Sequence, residues 1–92
     1  MTKSEQIKQV NLLLKNEKAV EAREAFKQIP EEESVEYLLL KGKVAQKFQE
    51  TGDAMNAYSK VLAIDPENVE AANSLHLIQN ILNFWNPEMF NP

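Results

Sequence analysis

Apolar residues recur every three or four positions along most of this chain, which is the spacing of one face of an amphipathic helix. Pro30, the triplet Thr51-Gly52-Asp53 and the pair Asp65-Pro66 interrupt the pattern, and Asn86-Pro87 ends it. The pattern predicts five helices and no strand. We expect the helices at about residues 4–16, 18–28, 35–50, 54–64 and 67–85.

Residue types that cap helices fall at the predicted junctions. Ser34 precedes the third helix, where its hydroxyl can accept a hydrogen bond from an exposed backbone amide. Gly52 is expected to take unusual backbone angles in a break between the third and fourth helices, with Asp53 as the following cap. Asp65 is the expected N-cap of the last helix, with Pro66 in the first turn, where a missing amide costs nothing.

The sequence matches itself when it is shifted by 32 residues, and the matches extend over two helices. The matched pairs are Ile7 and Leu39, Leu12 and Val44, Leu13 and Ala45, Lys15 and Lys47, Ala22 and Ala54, Ala25 and Ala57, Phe26 and Tyr58, and Ile29 and Val61. Eight matches at a single offset indicate an internal repeat.

The second copy, residues 35–68, resembles the tetratricopeptide repeat, a helix–turn–helix unit of about 34 residues. The positions that carry the resemblance are small Gly42 in the first helix, Ala54, Tyr58 and Val61 in the second, and the ending Asp65-Pro66. The first copy, about residues 3–33, matches less closely. Residues 67–85 resemble the half-repeat that closes such arrays, and 86–92 form a tail.

Three features of the second copy depart from the family pattern. Lys41 stands where the family prefers leucine, Ala45 replaces an aromatic residue, and the Gly-Asp turn comes about three residues late. The resemblance nevertheless implies an all-α fold, a right-handed stack of antiparallel helix hairpins that forms one domain over residues 1–92.

Small residues in the second copy indicate a close approach between its two helices. Ala54 and Ala57 would let the fourth helix lie against Gly42 and Ala45, with Tyr58 filling the space towards the last helix. Glycine costs about 1 kcal/mol of helix propensity relative to alanine, a cost that close packing has to offset. We therefore expect Gly42→Leu to destabilise the fold by overpacking.

The family resemblance implies a peptide-binding concave face lined by the first helix of each repeat. Carried over to this sequence, that face presents Ile7, Asn11, Leu14, Lys15, Leu39, Lys43, Gln46 and Lys47. Helical spacing alone also places positions 39, 43, 46 and 47 on one face. An acidic peptide with an apolar anchor would suit this mixture, whereas the alternative is that the lysines only solvate an exposed face.

One specialised function of the family is not expected here. Some members hold chaperone tails with a carboxylate clamp, and Asn11 has a matching place in it. Ile7, Leu40 and Ser74 stand where that clamp has basic or amide groups, so the resemblance does not extend to chaperone-tail binding.

The last predicted helix has a wider apolar arc than one preceding helix pair should cover. One stripe contains Leu75, Ile78, Leu82 and Trp85, and the adjoining stripe contains Leu77, Ile81 and Phe84. Three different partners could cover the rest of this apolar surface: the tail with Met89 and Phe90, a second copy of the chain, or another protein with Trp85 and Phe90 as anchors. The alternative function is structural self-association as a homodimer through the last helix and tail. The second candidate surface consists of Leu77, Ile81, Phe84, Trp85 and Phe90.

Composition narrows the possible functions. The chain has 92 residues, 43% of them hydrophobic, 26% charged, and a net charge of −4, which fits one globular domain and argues against nonspecific nucleic-acid binding. The absence of cysteine excludes disulfides and thiolate metal sites. No signal peptide or membrane-spanning run is seen, so we expect a cytoplasmic protein without membrane attachment.

Candidate catalytic chemistry is sparse. His76 is the single histidine, and it is expected at the solvent edge of the last helix rather than in a metal site. No phosphate-binding loop or nucleophile–base pair is present. The run Glu31–Glu33 is expected to be a solvated turn, with docking of a basic partner as the other interpretation. The sequence predicts a non-catalytic protein-interaction module without a cofactor or metal.

Overall fold

The computed structural model describes residues 2–85, with Trp85 described by its backbone alone. This part of the chain forms five α-helices and no strand: α1 Lys3–Lys15, α2 Ala19–Lys27, α3 Val35–Lys47, α4 Thr51–Ile64 and α5 Val69–Trp85. The predicted all-α fold with five helices is confirmed for these residues.

Helices that follow one another in the chain also pack on one another. α1 contacts α2, α3 contacts α4, and α4 contacts α5, while α3 also lies against both α1 and α2. The fully buried side chains are drawn from this whole series, and the largest are Tyr58, Leu38, Leu40, Val10 and Val61. One apolar core therefore runs from the first helix pair into the second and on to α5.

The two helix pairs begin in the same way, 32 residues apart. α1 and α3 each contain 13 residues, and each follows a hydroxyl-bearing N-cap. The Thr2 hydroxyl accepts from the backbone amide of Glu5, and the Ser34 hydroxyl accepts from that of Tyr37, both at 3.2 Å. The predicted role of Ser34 as a cap is thus confirmed.

The turn inside each helix pair is repeated at the same offset. Glu17 and Gln49 have φ values of 61° and 57°, and they are the non-glycine residues of the described chain in the left-handed region. The next amide in each turn reaches back to a carbonyl near the helix end, which is the Schellman arrangement. These bonds run from Lys18 to Leu13 and from Glu50 to Ala45, each 2.9 Å long.

The prediction of a break at Thr51-Gly52-Asp53 is wrong. The reversal occurs three residues earlier, because Gln49 supplies the left-handed residue that the Schellman turn requires. α4 already begins at Thr51, so Gly52 lies within the helix without a positive φ. Asp53 falls in the first turn of α4, where its charge favours the helix N-terminus. The predicted end of α3 at Glu50 moves to Lys47 for the same reason.

The prediction that Asp65 caps the last helix is also wrong. The side-chain oxygen of Asn68 accepts from the backbone amide of Ala71 at 2.9 Å, and α5 begins at Val69. Asp65 instead ends α4, where its amide donates to the carbonyl of Val61 at 2.7 Å. Asparagine and aspartate are comparable N-caps, so residue type alone could not choose between the two positions.

Arg23 on α2 joins the first helix pair to the turn of the second. Its guanidinium donates to the carboxylate of Glu50 at 2.7 Å and lies 4.3 Å from the ring centroid of Phe48. Nearby, the rings of Phe26 and Tyr37 stack with centroids 5.1 Å apart. The two helix pairs are therefore held together by polar as well as apolar contacts.

The ring of Tyr58 occupies the space that a side chain at Gly42 would need. A Cβ placed on Gly42 would lie 2.6 Å from Cζ and 2.7 Å from Cε1 of Tyr58. Tyr58 has no exposed surface, and Ala54 and Ala57 beside it in α4 are buried. Close packing of α3 on α4 thus depends on the missing side chain at position 42.

We expect Gly42→Ala to destabilise the protein by about 1–3 kcal/mol, because even one methyl group overlaps the Tyr58 ring. This loss opposes the gain of about 1 kcal/mol in helix propensity that alanine brings. Gly42→Leu adds a bulkier side chain at the same place and should cost more. Chemical denaturation measures the change in the free energy of unfolding.

Gly52→Ala is the matched control, since a Cβ there would meet no atom within 4 Å. The same substitution in α4 should leave stability unchanged or raise it by up to about 1 kcal/mol. A Gly42→Ala protein as stable as Gly52→Ala would show that Tyr58 does not restrict position 42.

Candidate functional site

A groove of about 530 Å³ lies between α1 and α3 and is called here the α1–α3 groove. Its lining residues are Asn11, Leu14, Lys15, Lys43, Gln46 and Lys47. Six of the eight residues predicted for the binding face therefore come together at one place. The helical spacing that grouped the α3 residues and the pairing of α1 with α3 account for this arrangement.

The other two predicted residues lie apart from the α1–α3 groove. Ile7 lines a separate groove of about 420 Å³ at the start of α1 with Lys3, Lys8 and Glu36 among its neighbours. Leu39 is half-buried and packs against the core. Leu14, on the groove wall, is only 7% exposed. The predicted apolar residues thus contribute mainly to packing.

The lysines of the α1–α3 groove differ in their partners. Lys43 lies 2.8 Å from the carboxylate of Glu70 on α5, and Lys47 lies 3.6 Å from that of Glu17. No acidic side chain in residues 2–85 pairs with Lys15. All of these ion pairs are solvent-accessible, and exposed pairs contribute at most about 1 kcal/mol. A carboxylate arriving from outside can therefore compete for these lysines.

Asn11 contacts the ammonium group of Lys43. Its side-chain nitrogen donates to the backbone carbonyl of Ile7 at 3.2 Å, one turn earlier in α1. Its side-chain oxygen is then turned to accept from the Lys43 ammonium at 3.5 Å. Lys43, which α3 carries, thus contacts both α1 and α5. These three helices contribute to one face of the molecule.

A second groove, of about 590 Å³, lies between α5 and the segment that runs from the end of α3 to the start of α4, and it is called the α3–α5 groove. It is lined by Gln46, Gln49, Thr51, Ile78, Ile81 and Leu82. Ile81 is 48% exposed, whereas Ile78 is buried and Leu82 is half-buried. Sequence reasoning placed Ile81 on an exposed stripe but did not predict this groove, because no periodicity within one helix shows which two helices flank a gap.

Gln46 lines both grooves and is fixed by Tyr58. The Tyr58 hydroxyl donates to the side-chain oxygen of Gln46 at 2.5 Å. The amide nitrogen of Gln46 therefore keeps its two donor hydrogens for other acceptors. Burial raises the pKa of Tyr58 above its usual value of 10.0, as does the nearby charge of Glu70, while a hydrogen bond with Ser74 opposes the rise.

The acidic turn before α3 is compensated within the chain. Glu32 pairs with Lys3, Glu31 lies 3.6 Å from Lys41, and Glu33 lies 3.9 Å from Lys60. The three carboxylates thus face lysines on three different helices. This arrangement favours a structural role of the turn over the docking of a basic partner.

The second apolar stripe of α5 faces solvent. Leu77 is 54% exposed and Phe84 is 77% exposed, in contrast to buried Ile78 on the first stripe. The wide apolar arc predicted for this helix is therefore only partly covered by the described residues. The Trp85 side chain, Met89 and Phe90, and with them the predicted fold-back of the tail, lie outside that part.

Groups that could bind a metal ion do not cluster in the described chain. His76 is exposed on α5, as its position in the sequence predicts. Within residues 2–85, no group of three histidine, cysteine or acidic side chains could hold a metal ion. In the same range, no helix combines the length and apolar character needed to span a membrane.

Comparison with known proteins adds no relative. The chain matches no protein-family model, no curated protein and no solved structure.

We expect the stability of the wild-type protein to fall as the pH rises above about 10, the value for an unfolded tyrosine. The raised pKa of Tyr58 means that the fold favours the neutral phenol, so its contribution is complete below that pH and is lost as the phenol ionises. Thermal denaturation of wild type and Tyr58→Phe from pH 8 to 11 isolates this effect. Tyr37, whose pKa burial also raises, is common to both proteins. Parallel pH profiles would contradict the role given to Tyr58.

Proposed function

We propose that the chain is a non-catalytic protein-interaction module of the tetratricopeptide-repeat type, which binds a peptide or partner protein on the face formed by α1, α3 and α5. The observation that carries this proposal is the α1–α3 groove, where Lys15, Lys43 and Lys47 surround one opening in a chain of net charge −4. Glu70 and Glu17 pair with two of these lysines, but these exposed pairs are weak, so the groove favours a partner whose acidic side chains replace them.

The repeat-type fold is supported by features that recur at one offset. Two helix pairs share their caps, their left-handed turn residue and their turn hydrogen bonds, 32 residues apart. Repeat arrays stack such units so that the same face of each unit contributes to one surface. The placement of Asn11 and Lys43 in a common groove, again 32 residues apart, follows that principle.

The mechanism proposed is rigid display of the binding groups. Gln46 is held by the buried Tyr58 hydroxyl, and the Asn11 side-chain oxygen lies 3.5 Å from the Lys43 ammonium. Side chains that are already positioned lose less conformational entropy when a partner binds. The entropic cost of binding then falls mainly on the partner peptide.

Self-association through α5 is the alternative function. It is favoured by Leu77 and Ile81, two exposed apolar side chains one turn apart on the same helix. Exposed apolar stripes of this kind are typical of helix–helix interfaces. A homodimer would use this stripe and leave the lysines of the α1–α3 groove uninvolved.

We expect the double variant Lys43→Glu, Lys47→Glu to lose the partner captured from cell lysate by the immobilised wild-type chain. Charge reversal replaces attraction for an acidic partner by repulsion, and the wild-type interaction should weaken as salt screens it. The matched control is Lys27→Glu, Lys60→Glu, which changes the net charge equally on α2 and α4, away from the described grooves. Quantitative mass spectrometry compares the captured proteins. Equal capture by both double variants would contradict the proposal.

We expect the wild-type chain to sediment as a monomer of 10.5 kDa at micromolar concentration. The peptide-binding function requires no second copy. A sedimentation mass twice this value, reduced to that of the monomer by Leu77→Gln, would favour self-association instead. Lys43→Glu, Lys47→Glu serves as the control that should leave the mass unchanged.

A further inference from the structure

We propose that the partner segment has two parts, a large apolar side chain that enters the α3–α5 groove and neighbouring acidic side chains that reach the lysines of the α1–α3 groove. This inference rests on the proposed binding function and specifies the chemistry of the partner. It also assigns binding roles to Ile78, Ile81 and Leu82, which the sequence did not place in the peptide site.

The α3–α5 groove has the size and lining of an apolar subsite. Its volume of about 590 Å³ lies within the range of about 300–1,000 Å³ that is typical of ligand pockets. Ile78 is buried, and Ile81 and Leu82 remain partly exposed. The other lining residues are uncharged, so an apolar side chain can enter without stripping water from a charge.

The two grooves divide the chemistry between them. The three lysines line the α1–α3 groove, where Leu14 is already buried and leaves little apolar surface to cover. The α3–α5 groove has no charged residue among those that line it. An apolar anchor therefore has its place beside α5, and acidic groups have theirs beside α1. This separation gives the bound segment a direction across α3.

Gln46 connects the two subsites. It lines both grooves, and its side-chain oxygen is engaged by the Tyr58 hydroxyl. Its amide hydrogens can therefore donate to a backbone carbonyl of a segment that crosses α3. Neighbouring helices are about 8–10 Å apart, and an extended chain advances about 3.3 Å per residue. The apolar anchor and the first acidic residue should consequently be about three residues apart.

The occupant is a separate partner that brings several carboxylates. No acidic side chain in residues 2–85 pairs with Lys15, and the weak, exposed ion pairs of Lys43 and Lys47 can be replaced by carboxylates from outside. Residues 86–92 contain one acidic residue, Glu88, beside Met89 and Phe90. A cluster of carboxylates can reach Lys15 and also replace the exposed partners of Lys43 and Lys47, which a single carboxylate cannot do. The tail is a distinct outcome of the experiment below, and the sedimentation measurement described above tests for a second copy of the chain.

The experiment uses an array of 12-residue peptides, each with one phenylalanine and three consecutive aspartates in a serine–glycine background. The distance between the phenylalanine and the aspartates varies from zero to eight residues. The full-length labelled chain is applied, and dissociation constants are measured for the best peptides. We expect the tightest binding at a spacing of about three residues, and weaker binding when the phenylalanine is replaced by serine.

Two α5 variants separate the groove from the rest of the helix. Ile81→Gln places a polar group in the α3–α5 groove and should weaken the best peptide about tenfold, a loss expected from removing apolar contact. Leu77→Gln is the matched control, since Leu77 is similarly exposed one turn earlier but does not line the groove. Its effect should stay within about twofold. Equal losses in both variants would overturn the assignment to the groove.

The outcomes distinguish this inference from the function on which it rests. If aspartate peptides bind and Lys43→Glu, Lys47→Glu abolishes binding, but phenylalanine has no effect at any spacing, the basic site stands and the two-part inference fails. If no peptide binds, the inference fails, and the lysate capture decides the function separately. A tenfold gain in affinity for the phenylalanine peptide in Phe90→Ser, with no gain for the peptide that has serine in place of phenylalanine, would show that the chain's own tail occupies the α3–α5 groove and overturn a separate partner as its occupant.

Discussion

The contact between the Tyr58 ring and Gly42 is the constraint on which the second helix pair depends. Because a Cβ on Gly42 would lie 2.6 Å from the ring, the ring can be buried only where the first helix has no side chain. Its hydroxyl then donates to Gln46 on α3, while Ser74 and Glu70 on α5 affect its pKa. Tyr58 thus joins α4 to α3 and positions the glutamine that lines both grooves.

Most of the fold could be predicted from the sequence, because helix periodicity and the 32-residue repeat are local signals. The exact helix ends could not. Gln49 adopts the left-handed conformation, although Gly52, three residues later, could adopt it at lower cost. Asn68 caps α5 in place of Asp65. These choices depend on which carbonyls the turn must satisfy, and residue type alone does not determine them. The close approach at Gly42 was predictable, since glycine inside a helix is costly without a packing reason.

The candidate site was only partly predictable. Helical spacing and the 32-residue repeat predicted one common face for Lys15, Lys43, Gln46 and Lys47. These residues do line one groove. The α3–α5 groove arises from a gap between α5 and the junction of α3 with α4, which are distant in sequence. The sequence pattern indicated that Ile81 is exposed. It did not indicate which residues lie opposite Ile81 across the groove. Ion pairs such as Lys43 with Glu70 likewise join helices whose proximity only the tertiary structure provides.

The most direct test of the account is amide-resolved NMR of the full chain during titration with the tightest peptide of the phenylalanine–aspartate array. The account predicts chemical-shift changes at Lys15, Lys43, Gln46, Lys47 and residues 78–82. The amides of α2 and of the solvent-exposed residues of α4 should not shift. Changes centred on Leu77 or on α2, with none at Gln46, would contradict the claim that the face formed by α1, α3 and α5 is the binding surface.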